Sequence, residues 1–468
     1  MIFNSVHFIL FFIVTTILYY ALPHRYRWAF LLAISCYFYM VFKPIYILIL
    51  AGTIVVDYFA GLFLESTTNP KRKKIFLIAS IIANVGVLAV FKYYNFINDN
   101  LTELLGVFHI KNEIPMLRIL LPIGLSFHTF QAMSYTIEVY RGKQQAEKHF
   151  GIYALYVMYY PQLVAGPIER PQNILHQLKE KVVFNYDHIV SGLKFILWGM
   201  FVKVVIADRL SIYVDIVYNS PEHHSAISSL VATLFFTFQI YCDFSGYSSI
   251  AIGCAKVLGI DLMTNFRRPY MSTSIREFWS RWHISLSTWF RDYLYIPLGG
   301  NRVSLYRNMF NLFFVFLVSG LWHGANWTFI IWGALHGFYL MLEIMFDRLW
   351  PSVKLPRSIR WVLNFVLVAI AWVFFRASNF QTAKQILKNI YTFKPGPLYI
   401  GNASYLVYSF LLILFLFAAE YNAEKLNNRY AWLYSERKVL RWSAYLFLIL
   451  TLLSIGVFNG GQFIYFQF

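Results

Sequence analysis

Charge is what this chain has least of. Only 13% of its 468 residues are Asp, Glu, Lys or Arg, against about 25% in soluble domains. With 59% hydrophobic and 20% aromatic residues, the composition excludes an ordinary soluble protein and points to an integral membrane one. Cysteine is scarce as well. Cys36, Cys242 and Cys254 lie in apolar surroundings without CxxC or metal-ligand spacing, so neither a redox nor a metal role is assigned. The signatures of soluble enzymes are missing: no GxSxG elbow, no GxxxxGK[ST] loop, no GxGxxG after a strand and no HExxH. Ser245-Gly246-Tyr247-Ser248 has only a superficial likeness to a nucleophile loop and is set aside. The first apolar run, Ile2 to Leu22, has no basic leader and is followed by more apolar runs, so it is expected as a retained helix and not a cleaved signal.

Acidic residues are scarcer than basic ones, 22 against 40, for a net charge of +18. The basic residues form short clusters between apolar runs, which argues against nucleic acid and for loops on the anionic face of a membrane lipid bilayer. HRYR (24–27), KRKK (71–74) and RGKQQAEKH (141–149) fall on alternate loops. The intervening loops hold Lys43 alone and a segment where Lys92, Lys111 and Arg118 balance Asp99, Glu103 and Glu113. The positive-inside rule then places the N-terminus outside the cell, in a multi-pass protein of the plasma (inner) membrane. Apolar runs at 2–22, 28–42, 45–64, 75–91, 119–140, 150–165, 189–206, 226–255, 308–346, 361–376, 404–420 and 441–458 predict about 11–12 transmembrane helices. No long linker or internal repeat interrupts them, and two matching interrupted halves of a transporter are not found. The expectation is an all-α polytopic membrane protein with one domain, 1–468, plus re-entrant or interfacial helices.

Two stretches stand out. The run from Asn308 to Leu342 spans 35 residues without an Asp, Glu, Lys or Arg, yet carries His323 and His336. A single helix of that length would reach about 52 Å, well beyond a hydrocarbon core of about 30 Å. The chain must bend or break, with Gly320, Gly324 and Asn326 as the natural places. The second stretch, TNFRRPYMSTSIREFWSRWHISLSTWFRDYLYIPLGGNR (264–302), is too charged to span lipid and rich in Trp, Tyr and Arg. It reads as an interfacial or re-entrant segment, with a helix from Ser274 to Tyr293 that pairs Glu277 with Arg281 and holds His283 in its middle.

An imidazole in apolar sequence beside a helix break is costly without a partner, which makes His323 a functional candidate as well as a packed core histidine. Trp322, Gly324 and Asn326 surround it with small and polar groups. His283 reads either as a site residue or as part of an aromatic belt. His336 is 13 residues from His323, about 20 Å along a continuous helix, and takes the structural reading. Asp243, in FQIYCDFSGYSS, is a carboxylate deep in an apolar run: it is either half of a structural pair or a group that orients a histidine or lines a polar cavity. Arg291 and Asp292 are expected to pair, in a structural or a substrate-contact role. Two function classes survive this reading of the residues. One is a transferase with a neutral imidazole as general base toward a hydroxyl; the other is a transporter or proton-coupled carrier.

The residues also carry a resemblance. SGLWHGANWTFIIWGALHG (319–337) is similar to the membrane-bound O-acyltransferase (MBOAT) family, in its bacterial branch with the alginate O-acetyltransferase membrane subunit. FKYYNF (91–96), LPIGLSFHTFQAMSYTIEVYRG (121–142), YPQLVAGPIERP (160–171), KVVIADR (203–209), YCDFSGYSSIAIG (241–253), residues 265–302 and the terminal FIYFQF (463–468) extend the likeness over nearly the whole chain. The resemblance implies a ring of helices with a central funnel and a tunnel from the cytoplasm. It implies His323 as the catalytic base and His283 as a second active-site residue. Trp322, Asn326, Trp282, Asp243, Arg291 and Asp292 become supporting or tunnel-lining candidates. It further implies an acyl thioester donor, acetyl-CoA or an acyl carrier protein, with no metal or tightly bound cofactor. The acceptor would be a hydroxyl of an extracytoplasmic polysaccharide, reached directly or through an SGNH-type partner, as in exopolysaccharide O-acetylation and alginate biosynthesis. Acetyl is the expected group, with D-alanyl transfer to a cell-wall polymer as the alternative. In the D-alanyl branch a FIY-type motif belongs to a small partner peptide; here it ends the chain itself, so the tail is expected to dock near the site and to receive or guide the acyl group.

Overall fold

The charge-free run is two helices. A computed structural model describes residues 1–117, 122, 124–163, 166–353, 355–426, 432–458 and 463–466. In it Leu305–His323 and Trp327–Leu349 meet at a short link, 324–326. Asn326 caps the second helix, its side chain accepting the Thr328 N–H at 3.0 Å and donating to the Ser378 carbonyl at 2.9 Å. That satisfies one of the donors a helix start leaves open. Gly320, expected as a breaking point, lies inside the first helix instead. A Cβ there would stand 2.3 Å from the Phe329 carbonyl oxygen, and one on Gly333 would stand 2.3 Å from that of Phe316. The glycines let two antiparallel backbones touch, which is how helices associate where lipid removes the hydrophobic drive between them. Gly320→Ala is therefore expected to destabilise the hairpin by about 1–3 kcal/mol, read as a lower melting temperature in detergent.

The rest of the chain is helical as well, with no strand among the described residues. Nine described helices are long and apolar enough to cross a membrane, and Val6–Ala21 is apolar but shorter. The expected count was higher for a physical reason. The apolar run at 150–165 is divided at Tyr159 into Phe150–Met158 and Tyr160–Leu163, and nine helical residues rise only about 14 Å. His24–Met40 and Leu125–Tyr140 run 17 and 16 residues. Arg118, the start of the expected span at Ile119, and Gln467 and Phe468 of the terminal motif lie outside the described residues.

The chain divides into two compact units, Met1–Ile196 with Ile250–Met263, and Leu197–Ser249 with Thr264–Phe468. In the first, Asp57 accepts from Ser80 Oγ at 2.6 Å and from Asn84 Nδ2 at 2.8 and 2.9 Å, tying helix Ile47–Ser66 to Pro70–Leu88. Polar groups at membrane depth have to be satisfied inside the protein in this way.

The second unit contains both candidate histidines. Its interfacial segment is not the continuous helix expected from Ser274 to Tyr293. Helix Ile275–Arg281 ends, Trp282 is extended, His283 is left-handed, and Ile284–Phe290 starts afresh. The expected Glu277–Arg281 ion pair is present at 2.6 Å. Around it, Ser274 Oγ accepts the Glu277 N–H at 3.1 Å and the Glu277 carboxylate accepts the Thr273 N–H at 2.8 Å, a reciprocal capping arrangement. Glu424 of helix Ala403–Lys425 binds Arg281 at 3.0 Å and Arg268 at 2.7 Å, and Glu343 accepts the Ile275 N–H at 2.8 Å. The charges that bar this segment from lipid are the ones that fasten it to its neighbours.

Candidate active site

His323 ends helix Leu305–His323 and is 4% exposed. Its ring meets Trp322 and Trp332 edge-on, both at 4.9 Å between centroids, Phe375 at 5.2 Å and Tyr465 at 5.6 Å. Because the helix stops at this residue, the imidazole lies at the hairpin corner and not along a packed helix flank.

His283 reaches the same place from the other side. It is fully buried, against Phe244 at 4.6 Å, Trp322 at 6.3 Å and Tyr465 at 6.4 Å. The two imidazoles therefore share Trp322 and Tyr465 as neighbours. Burial holds the His283 ring well below its usual range, at about 3, so it is neutral. Its backbone is strained, with φ at 41°, a conformation that costs about 1–2 kcal/mol for an L-residue. The extended stretch before Arg268 supplies the restraint. Ile284 N–H donates to the Asn265 carbonyl at 2.9 Å, and Asn265 Oδ1 accepts both the Ser285 N–H at 3.2 Å and Ser285 Oγ at 2.9 Å. Asn265 is fully buried. Asn265→Ala is expected to leave His283 in place chemically but not geometrically, and to lower kcat by about tenfold or more with little change in donor KM; steady-state kinetics on purified protein check it.

Sequence reasoning placed the tail near the site but did not single out Tyr465. Phe463 stacks on Tyr247 at 4.4 Å between centroids, and Tyr465 packs on Phe244 at 4.5 Å and faces both histidines. Burial, reinforced by the charge of Asp243, holds the Tyr465 hydroxyl above its usual range. Ile464 N–H donates to Asp243 Oδ2 at 2.7 Å. Asp243 thus holds the tail and not a histidine. Its other oxygen pairs with Lys203 at 2.6 Å, a lysine that the sequence reading left unmarked.

The remaining candidates scatter. Trp282 is buried and packs on Trp372 at 4.9 Å, one layer behind the histidines. Asn326 is a helix cap at the hairpin corner. Arg291 pairs with Asp292 at 2.8 Å at the start of the helical segment Arg291–Tyr295. His336 accepts from Trp279 Nε1 at 3.3 Å and touches Trp332 at 5.0 Å. Trp332 is therefore a ring that both His336 and His323 contact, a proximity created by the hairpin and invisible in a straight-helix count.

A cavity of about 810 Å³ opens beside the site, lined by Trp279, Ser287, Arg291, Val315, Phe316 and Ser319 among others. Ser319 is one helical turn before His323, so the cavity reaches the face on which that imidazole stands. Its walls are mainly apolar, with Arg276 and Arg291 as cations. An acyl chain and an anionic carrier group would suit such a lining. Among the described residues, no three His, Cys, Asp or Glu side chains gather as metal ligands do. Two imidazoles, a phenol and an apolar cavity can deprotonate and orient a hydroxyl in a water-poor setting.

Residues 148–383, which include His283 and His323, match the membrane-bound O-acyltransferase family. Over 396 residues, 84% of this chain and 75% of the relative, the sequence is 40% identical to a probable alginate O-acetylase of Pseudomonas aeruginosa. It is 37% identical over 387 residues, 76% of this chain and 72% of the relative, to a peptidoglycan O-acetyltransferase of Helicobacter pylori. A teichoic acid D-alanyltransferase of Bacillus subtilis is 26% identical over 281 residues, 55% of this chain and 69% of the relative. The hairpin with its buried histidine, the apolar helices and these likenesses lead to one conclusion: the chain is a multi-pass membrane O-acyltransferase and belongs to the membrane-bound O-acyltransferase family.

Proposed function

We propose that the chain transfers an acetyl group from a cytoplasmic thioester, acetyl-CoA or an acyl carrier protein, to a hydroxyl of an extracytoplasmic polysaccharide. The observation that carries this is the convergence of His323 and His283 on Trp322 and Tyr465. His323 acts as general base: it takes the proton of the attacking hydroxyl, whose oxygen forms a bond to the thioester carbonyl carbon. The carbon–sulfur bond then breaks and the thiol leaves with a proton. His283, neutral and held by Asn265, positions or polarises the reactants. The cavity beside Ser319 receives the donor, and Arg291 favours its anionic part.

Acetyl is favoured over D-alanine because the O-acetylating relatives are 36–40% identical and the D-alanyltransferases 26–30%. The basic loops support a plasma-membrane protein with its N-terminus outside. An SGNH-type partner that completes delivery to the polymer fits a site enclosed by aromatic rings. Helix Ala226–Val257 contributes residues to both units, which supports a chain that works as one domain. Membranes incubated with a radiolabelled acetyl thioester test the reading: label should reach polysaccharide, or a partner protein, only when His323 is present. Label transfer independent of His323 overturns it.

A further inference from the structure

The described residues at and after the end of the last span are held at two points, both built around the π turn Phe201–Ala207 inside the long helix Tyr186–Asn219. Where the last span finishes, Val457 N–H donates to the Val204 carbonyl at 3.1 Å and Arg209 donates to the Ile455 carbonyl. Further on, Ile464 N–H reaches Asp243 Oδ2 at 2.7 Å, Asp243 Oδ1 lies 2.6 Å from Lys203 Nζ, and Lys203 donates to Asp208 Oδ1 at 2.7 Å. The side chains of Lys203, Asp243 and Asp208 are 2%, 5% and 4% exposed.

Stability alone does not account for this arrangement. Taking an ammonium and two carboxylates out of water costs about as much as their attraction returns, and apolar side chains of the same volume often do as well. What apolar residues cannot do is offer a fixed acceptor to a backbone N–H. A π turn widens the helix by one residue and turns Lys203 inward. Gly246 lets the opposite helix come close enough, since a Cβ there would stand 2.8 Å from the Gly199 carbonyl oxygen and 3.0 Å from Lys203 N. Asp243, one turn before Gly246, is then clamped by Lys203 on one oxygen and free to accept on the other.

We propose that Lys203 is a positioning residue: with Asp243 it forms a latch on the Ile464 amide that sets the register of the tail, so that Phe463 fills the Tyr247 side and Tyr465 is presented to His323 and His283. The consequence for activity rests on the acyl-transfer reading; the latch itself does not. A backbone contact at residue 464 fixes which side chain occupies each neighbouring place, because a slip of one residue would take Phe463 and Tyr465 out of both.

The test uses the full-length protein in membranes with Cys36, Cys242 and Cys254 replaced by alanine and Phe463→Cys as reporter. Phe463 is 1% exposed, so the introduced thiol should resist a maleimide; a reactive thiol in this parent already overturns the latch. Lys203→Met should raise the labelling rate by about tenfold or more as the tail opens, and lower acyl transfer by about 10²-fold through kcat with donor KM unchanged. Ile464→Pro removes the donor and leaves the buried ions intact, at the first position of the turn Ile464–Phe466, where proline is tolerated. It should reproduce both effects at an unchanged melting temperature, which keeps the test decisive if Lys203→Met does not fold. Continued protection of the thiol in Ile464→Pro overturns the latch. A released tail with undiminished acyl transfer overturns the claim that the latch presents Tyr465. Wild-type protein that transfers no acyl group, with the parent and its variants showing the expected labelling pattern, refutes the acyl-transfer reading and supports the latch.

Discussion

Replacing His323 with alanine is expected to lower acyl transfer by about 10²–10⁴-fold, the contribution of a well-placed general base, or about 3–5 kcal/mol of barrier. The effect is large because the aromatic rings packed around it offer no substitute. Trp322, Trp332, Phe375 and Tyr465 pack around the ring within 6 Å between centroids, and none of these four is a base at neutral pH. His336 is held through Trp279 and separated by Trp332. Those same aromatic rings carry most of the packing, so the protein should remain folded in the membrane. His323→Gln keeps more of the side-chain volume and should match the wild-type melting temperature while remaining as inactive as the alanine variant. The measurement is the initial rate of label transfer together with thermal unfolding in detergent. Full activity in either variant removes His323 from the chemistry.

The hairpin was legible because two quantities conflict: a charge-free run of 35 residues and a bilayer only about 20 residues deep. That conflict demands a break but does not say which residue makes it. Gly320 looks like a breaker in sequence and is a packing residue in space, because its role depends on Phe329 and Gly333 across the hairpin. His283 was legible as a histidine in an unusual segment, while its left-handed backbone was not. The restraint comes from Asn265, too far along the chain for any local pattern to reveal. Lys203 sits in an FVKVV context whose inward turn periodicity does not show, since a π turn shifts the register by one residue and periodicity assumes none. Asp243 could be read as a paired carboxylate, but its partners, a lysine 40 positions away and a backbone amide 221 away, leave no trace in spacing.

Removing only the hydroxyl of Tyr465, by Tyr465→Phe, is expected to lower delivery of the acyl group to acceptor by about 10²-fold or more and to leave no label on the chain itself. The argument is steric and electrostatic together. The ring of Tyr465 faces both imidazoles, at 5.6 and 6.4 Å between centroids. Its packing on Phe244 and Phe463 needs the ring and not the oxygen, so phenylalanine should keep the tail in place. Burial raises the phenol above its usual range, so it reacts only if a neighbouring base takes the proton, which is the role assigned to His323. The hydroxyl then receives the acyl group or guides the acceptor to it, and both require the oxygen. A ring that merely plugs the site predicts the opposite, because phenylalanine plugs it equally well. Equal transfer rates for Tyr465→Phe and wild type, with the reporter thiol at position 463 still protected, would reduce the tail to a structural plug and leave His323 and His283 to act on the acceptor directly.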